Sequence, residues 1–200
     1  MKSMFATVAV AAICAGAPAL AFAQDTNDVS ENGVYGDLGW SHVTTRGADT
    51  DGVQGRVGAR FARFFGIEGE IGGGLSSGGN TVDFTTGTPP VTTPTSVGVK
   101  QTLAGAVYGV GFLPITHRFD LLARVGYGGS RYDVSPNGLA SYRVTENGIR
   151  YGVGGEYFLD GRNGVRVDYT REHMGDVTDN AGLFPERNAN VWAVSYAHRF

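Results

Sequence analysis

Residues 190–200, at the end of the chain, alternate strictly between two kinds of side chain. The larger, mostly apolar set falls on one side of an extended chain and comprises Trp192, Val194, Tyr196, His198 and Phe200. The small or polar set falls on the other side and comprises Val191, Ala193, Ser195, Ala197 and Arg199. A strand that runs to the last residue must be held in a sheet, because chain ends otherwise fray. The stretch therefore predicts a strand with one apolar face, which is either half-buried in a soluble β-protein or turned toward lipid.

Residues 1–23 have the features of a cleaved secretory signal peptide. A basic start precedes an apolar run from Phe5 to Leu20, and the segment ends on small residues. The run is shorter than the stretch of about 20 apolar residues that a membrane-spanning helix needs, and polar, acidic sequence follows it. We therefore predict export, a short N-terminal segment over residues 24–32, and one domain over residues 33–200.

Eight segments of the exported chain alternate with a period of two, as half-buried strands do. They span residues 33–43, 53–63, 67–75, 97–112, 118–134, 148–159, 165–172 and 190–200. Wherever facing can be assigned, the charges lie opposite the larger apolar side chains. Segment 97–112 has apolar residues on both faces and its facing is left open. The prolines fall between these segments, as sheet hydrogen bonding requires.

The connections between the eight segments alternate between long and short. The longest, residues 76–96, is rich in Gly, Thr and Pro and is predicted to be an irregular exposed loop. Outer-membrane barrels have long loops outside the cell and short turns in the periplasm. A soluble barrel would instead place its larger apolar residues inside. The sequence therefore predicts an all-β fold, an eight-stranded antiparallel up-and-down transmembrane β-barrel.

The charged residues of the predicted strands share the face that would line the lumen. This predicted lumen charge network comprises Asp37, Arg56, Arg60, Glu68, Glu70, Asp120, Arg124, Arg150, Glu156, Arg166, Asp168 and Glu172. An eight-stranded barrel is just wide enough for side chains to fill, and buried charges must be paired. We predict a plug in which Arg56 and Arg60 pair with Glu68 and Glu70 across a hairpin. The alternative is a narrow or gated solute path.

Aromatic residues of the opposite, outward face are predicted to form two levels, as expected at two lipid interfaces. The level toward the cell exterior comprises Trp40, Tyr127, Tyr151 and Trp192. The periplasmic level comprises Phe61, Phe119, Tyr157 and Phe200.

Nothing in the sequence supports a catalytic, cofactor or metal site. The histidines are scattered over the strand ends, at His42, His117, His173 and His198. No nucleophile motif accompanies them, and no zinc-binding spacing is present. We therefore predict a non-enzymatic protein without a cofactor. With a formal net charge of −3 and no basic cluster, the chain also lacks the footprint of a nucleic-acid-binding protein.

Three stretches resemble the family of small outer-membrane β-barrel domains that includes the OmpA-like and opacity-type proteins. They are GARFARFFGIEGEIG (residues 58–72), FLPITHRFDLLARVGYG (112–128) and GVGGEYF (152–158). The last strand is similar to the C-terminal assembly signal of such proteins, with Trp192, Val194, Tyr196 and Phe200 matching and His198 departing. The resemblance implies location in the outer membrane of a Gram-negative bacterium. It also implies contact with outer-membrane lipids, including lipopolysaccharide, and with the outer-membrane assembly machinery.

The resemblance is specific for a fold and not for an activity. We therefore look for function in the loops, which vary on a rigid scaffold. The first hypothesis is a structural or surface-interaction role, in adhesion or in the envelope, with a host or cell-surface ligand bound by the extracellular loops. The second is a small-solute porin with a narrow charged lumen. A weaker third hypothesis is an outer-membrane hydrolase, for which His42 beside Ser41 and His173 beside Glu172 would have to meet at the outer strand ends.

Overall fold

The computed structural model describes residues 33–45, 48–86, 91–136, 141–174 and 188–200. The predicted signal peptide, residues 1–23, and the segment 24–32 lie outside the described residues. The described chain forms nine β-strands: β1 Gly33–Thr45, β2 Ala48–Ala62, β3 Phe65–Gly74, β4 Gly78–Thr86, β5 Val91–Thr116, β6 Phe119–Pro136, β7 Tyr142–Phe158, β8 Asn163–Met174 and β9 Asn188–Arg199.

Eight of these strands close into a barrel. The hydrogen-bonded order is β3-β2-β1-β9-β8-β7-β6-β5, and pairing of β3 with β5 completes the ring. All the pairings are antiparallel. The last residue is tied in, because the amide of Phe200 donates to the carbonyl oxygen of Val34 at 3.0 Å. The prediction of an eight-stranded antiparallel barrel is confirmed.

The prediction of an irregular loop over residues 76–96 is wrong. This segment contains β4 and the start of β5, which pair from Gly78 with Val99 to Thr86 with Val91. Its threonines and valines favour strands, and this preference outweighs the turn tendency of its glycines and prolines. Pro94 lies inside β5, before β5 begins to pair with β6 at Val97. In the described part of the chain Pro94 pairs on one side only, with Asp83 of β4, and an edge of this kind is where a sheet tolerates proline.

The strands also extend further toward the cell exterior than the sequence predicts. The predicted loop 44–52 is almost entirely strand, because β1 ends at Thr45 and β2 begins at Ala48. The predicted loop 135–147 is also partly strand, because β6 ends at Pro136 and β7 begins at Tyr142. Above the membrane, water contacts both faces of a sheet. A strand there needs no apolar alternation. The sequence pattern that marks where a strand ends is therefore lost.

The outer surface of the barrel is a belt of exposed apolar side chains. Leu38, Val57, Val125 and Val153 are each more than half exposed. The aromatic residues assigned to the two interfacial levels are exposed as well, except Phe119, which is half-buried. This surface suits lipid contact, with the ends that carry β4 and the long connections facing the cell exterior. No helix in the described part of the chain is long and apolar enough to cross a membrane.

The opposite, periplasmic end has tight turns. In the turn between β7 and β8, Gly161 has a φ of 81°, a backbone conformation that favours glycine. The Asp160 carboxylate accepts hydrogen bonds from the side-chain amide of Asn163 at 2.6 Å and from the backbone N–H groups of Arg162 and Asn163. These bonds, led by the Asn163 side chain, lower the pKa of Asp160 to about 2. The turn therefore stays charged and ordered at physiological pH.

Candidate functional site

The candidate site is the lumen, where large charged side chains share the wall with glycines. On β6, Arg124 is followed on the inward face by Gly126 and Gly128, and on β7 Gly152 and Gly154 precede Glu156. A Cβ atom at Gly126 would lie 2.7 Å from a ring carbon of Tyr108, and one at Gly154 would lie 2.7 Å from a carboxylate oxygen of Asp168, so these glycines leave room for inward side chains of the neighbouring strands. A barrel of this size has no room for a bulky residue at each inward position. The wall composition therefore allows charges from facing strands to meet at the barrel axis.

Arg56 is one centre of the lumen charge network. Its guanidinium donates to Asp168 at 2.7 Å, to Glu70 at 2.8 Å and to Asp37 at 3.2 Å. The three carboxylates come from β8, β3 and β1, so one side chain of β2 ties together strands from across the barrel. The Arg56 side chain has no solvent exposure.

Arg166 is the second centre. It donates to Glu68 at 2.7 Å and to Asp168 at 3.0 Å, and neither Arg166 nor Glu68 has any exposed side-chain surface. Arg124 reaches the same Glu68 carboxylate at 3.0 Å, so this group is shared by two guanidinium groups. The Tyr35 hydroxyl donates to it as well, at 3.1 Å. Glu68 is the most heavily bonded carboxylate of the lumen.

The remaining central charges join through Glu70. This carboxylate lies 3.2 Å from Arg124 and 3.6 Å from Arg150, and it accepts a hydrogen bond from the Tyr108 hydroxyl at 3.2 Å. Arg150 also pairs with Glu172 at 3.0 Å. Nine of the predicted network residues are thus connected: Asp37, Arg56, Glu68, Glu70, Arg124, Arg150, Arg166, Asp168 and Glu172.

The other three predicted network residues lie nearer the periplasmic end. Arg60 pairs with Asp120 at 2.8 Å, and Arg199 bridges Asp120 at 2.9 Å and Glu156 at 2.8 Å. The prediction that Arg60 pairs with Glu68 or Glu70 is wrong. The register sets Arg60 opposite Gly66, and its guanidinium turns toward the backbone carbonyl of Arg63. Arg199 was missing from the predicted network, although it belongs to the inward set of the last strand.

Apolar side chains pack in the lumen beside and below the central charges. This lower apolar cluster comprises Tyr35, Ala106, Tyr108, Val110, Phe112 and Leu122. Four of its members come from β5, whose facing the sequence left open; its even-numbered residues from Ala106 to Phe112 point inward. The guanidinium of Arg60 lies 4.5 Å from the ring centre of Phe112, and that of Arg199 lies 3.5 Å from the ring centre of Phe158. These cation–π contacts hold both guanidinium groups against aromatic rings near the periplasmic end.

A second apolar layer lies above the charges. This upper apolar cluster comprises Val43, Val99, Tyr132, Ala189 and Val191. Its members come from β1 and β9 on one side of the barrel and from β5 and β6 on the other. Apolar side chains therefore lie above the central charges, and the lower apolar cluster packs beside and below them, next to the ion pairs of Arg60 and Arg199 at the periplasmic end.

Within the described residues, three of the histidines hydrogen-bond to Asp or Asn side chains. His42 hydrogen-bonds Asp51 at 2.9 Å on the outside of the barrel, whereas the Ser41 side chain points inward and is buried. His173 contacts Asn188, and His198 contacts Asn163, each at 2.8 Å. Among the described residues, no group of three potential ligands is placed to hold a metal ion.

The residues assigned to the assembly signal share the outward face of β9. Trp192, Val194, Tyr196 and Phe200 are all about half exposed. His198, which departs from the family pattern, hydrogen-bonds Asn163 in β8, and its ring stands edge-on to Phe200 at 4.9 Å. The departure therefore has a local structural use, and the assembly role of the strand stays a prediction.

The closed ring, its apolar belt and its filled lumen define an integral outer-membrane β-barrel protein. The sequence profile of the outer membrane protein beta-barrel domain matches residues 5–200. The chain therefore belongs to this family. Comparison with curated protein sequences finds no match.

Solved structures with the same fold come from several bacteria. OprG of Pseudomonas aeruginosa has a TM-score of 0.58 at 11% identity, over 87% of this chain and 99% of that one. Neisserial surface protein A has a TM-score of 0.57 at 11% identity, over 86% and 98%. Ail, the attachment invasion locus protein of Yersinia pestis, was solved in complex with the heparin analogue sucrose octasulfate. It has a TM-score of 0.55 at 13% identity, over 86% and 100%. At these identities the likeness concerns the fold.

Proposed function

We propose that the protein is a non-conducting outer-membrane barrel with a structural and surface-interaction role, exercised through its extracellular hairpins. The observation that carries this proposal is the filled lumen. An ion entering from outside meets the upper apolar cluster and then a network in which Arg56, Glu68 and Arg166 have no exposed side-chain surface. The lower apolar cluster packs against this network, and the ion pairs of Arg60 and Arg199 follow toward the periplasm. Opening such a network would expose buried charges without partners, which costs several kcal/mol.

The extracellular hairpins are the parts of the protein that reach beyond the closed ring. β4 pairs with β5 above the level at which β3 leaves the sheet at Gly74. β6 and β7 pair with each other beyond Gly148, which is the last β7 residue paired with the described part of β8. A plugged barrel below gives these hairpins a rigid base. That division of roles supports an interaction function and not a transport function.

The same proposal includes export of the protein and its assembly into the outer membrane. Residues 1–23 would direct export and be removed, and the last strand would be recognised by the outer-membrane assembly machinery. Lipopolysaccharide would surround the outer half of the barrel. We propose no enzymatic activity and no cofactor.

Residues 24–200, refolded in detergent and inserted into a planar bilayer, are expected to give no reproducible current steps. The physical reason is the filled lumen, in which buried ion pairs and apolar clusters occupy the space that an ion would have to cross. A difference in gel migration between unheated and boiled protein would show that the barrel is folded. Reproducible unitary currents from the folded protein would contradict the proposal and favour the small-solute porin.

Deleting residues 80–94 is expected to leave the barrel folded and to abolish surface binding. The deletion removes most of the β4–β5 hairpin but leaves the pairs Gly78 with Val99 and Gly79 with Gly98 to close a short turn. Cells displaying either protein would be tested for adhesion to cultured epithelial cells and to immobilised heparin, a probe suggested by the ligand of the Yersinia protein. Full adhesion of the deletion variant, at equal surface display, would contradict the role of this hairpin.

A further inference from the structure

Three cations lie together on the outside of the barrel near its extracellular end. Lys100 of β5 and Arg143 of β7 are both register partners of Asp133 on β6. Arg131 lies two residues before Asp133 on the same strand. Neighbouring strands are about 4.8 Å apart, and residues two apart on one strand are separated by about 7 Å. The cations Lys100, Arg131 and Arg143, here called the basic patch, therefore share one small area.

The basic patch faces outward and not into the lumen. Gln101 and Tyr132 are buried inside the barrel, and side chains alternate along a strand, so Lys100 and Arg131 point to the outside. Arg143 is also outside, with 61% of its side chain exposed. The patch is thus accessible to whatever surrounds the barrel.

The patch carries excess positive charge. Asp133 is the carboxylate within it, and Arg143 Nε donates to Asp133 at 2.8 Å. This hydrogen bond is the main cause that holds the pKa of Asp133 below its usual range, so the carboxylate stays ionised. The other outward residues of this area, Thr102, Leu103 and Thr145, are uncharged. Three cations against one carboxylate leave a net charge of about +2.

The height of the patch is set by Tyr127, an exposed aromatic residue on the same face of β6. Arg131 lies four residues further along the strand than Tyr127, and Asp133 lies six residues further. With about 3.3 Å per residue and a strand tilt of about 45°, the patch stands roughly 9–14 Å above Tyr127. Aromatic belts mark the boundary between acyl chains and headgroups. The patch therefore lies at the depth of headgroup anions.

We infer that the basic patch binds phosphate groups of the glycolipid in the outer leaflet. Charge complementarity favours this occupant, and exposed Val107 and Val125 below the patch continue its surface into the region of the acyl chains. The site is one-sided, because the corresponding outward positions of β2 are Asp49 and Asp51. Binding would fix the orientation of the projecting β5–β7 strands above the membrane. The inference holds whether or not the hairpins bind a ligand.

The test titrates diphosphorylated lipid A into the mature protein in zwitterionic detergent and measures affinity calorimetrically. The variant Lys100→Gln/Arg131→Gln removes two cations and keeps the Arg143–Asp133 pair. Binding is expected to weaken about tenfold or more, since each cation adds attraction near an anionic headgroup layer. The matched control is Arg118→Gln/Arg162→Gln, which removes two exposed cations from periplasmic turns. It is expected to bind like the unchanged protein.

A gain of affinity provides a second readout that misfolding cannot produce. Asp133→Asn raises the net charge of the patch and is expected to tighten lipid A binding severalfold, with an effect that shrinks as salt is added. Lipid A without phosphates should bind the unchanged protein weakly, and millimolar inorganic phosphate should compete with the phosphorylated form. Equal affinity of the Lys100→Gln/Arg131→Gln variant and the unchanged protein would overturn the inference. So would loss of heparin binding with lipid A binding intact, which would make the patch a site for sulfated glycans.

Discussion

Replacing Arg166 by alanine is expected to lower the free energy of unfolding by about 3–5 kcal/mol, the range found when one partner of a buried ion pair is removed. Arg166 is the partner of Glu68 at 2.7 Å and of Asp168 at 3.0 Å, and its side chain has no exposure. The substitution leaves both carboxylates buried near Asp37 with one guanidinium fewer. Their mutual repulsion and lost hydrogen bonds set the size of the effect.

Equilibrium unfolding in urea, with the barrel in lipid vesicles, measures this loss. Arg171→Ala is the control, because Arg171 lies on the same strand but is exposed on the outside; it should cost well under 1 kcal/mol. Adding Glu68→Gln to a neutral Arg166→Met variant should recover part of the loss, as expected for coupled residues. A loss for Arg166→Ala no larger than that for Arg171→Ala would show that the network contributes no stability.

Much of the fold could be predicted from the sequence because lipid imposes a strict rule on the barrel wall. Inside the membrane each strand must present apolar residues outward and small or polar residues inward. This rule produces the period-two alternation of side chains in β1, β2, β8 and β9. The same period places charges such as Arg56 and Asp168 on the face opposite the apolar residues, so their inward direction can be predicted from the pattern alone.

The rule fails where the wall leaves the membrane or where both faces are apolar. β4 escaped prediction because a sheet in water needs no apolar alternation. The facing of β5 stayed open because its inward residues, Tyr108 and Phe112 among them, are as apolar as its outward ones. They belong to the lower apolar cluster, which a prediction based on charges alone did not include.

Specific pairs were harder still to predict, because they depend on distances across the barrel axis. Arg60 and Glu68 are close in sequence, yet Arg60 binds Asp120 and Glu68 binds Arg166 of β8. Local register determines which residues share the lumen, whereas strand tilt and ring closure determine which of them meet. Sequence spacing predicts which residues share the lumen but not which of them pair.

These long-range pairs give the lumen its mechanical character. Arg56 alone joins carboxylates of three strands, so moving one wall would break contacts with several others. In a barrel linked in this way, a conformational change at the extracellular hairpins is expected to have little effect on the periplasmic turns. Binding at the hairpins is therefore expected to leave the lumen closed.

Replacing Gly126 by valine is expected to prevent stable closure of the barrel, because the wall strands pack closely at this position. A Cβ atom at this position would lie 2.1 Å from the carbonyl oxygen of Val107 and 2.7 Å from a ring carbon of Tyr108. The nearest obstacle is backbone and cannot rotate away. Overpacking a core usually costs about 1–3 kcal/mol. We expect Gly126→Val to exceed that range, because relief requires β5 and β6 to separate.

Gly109→Val is the matched control on the neighbouring strand. A Cβ atom there meets only the carbonyl oxygen of Val125 within 4 Å, at 3.9 Å, and the side chain would enter the lipid-facing surface. This variant should fold with normal yield, since valine suits an exposed strand in lipid. Refolding yield and the migration difference between unheated and boiled samples compare the two. If both variants fold equally well, the close approach at Gly126 does not constrain the barrel, and the charged lumen has more room than its geometry indicates.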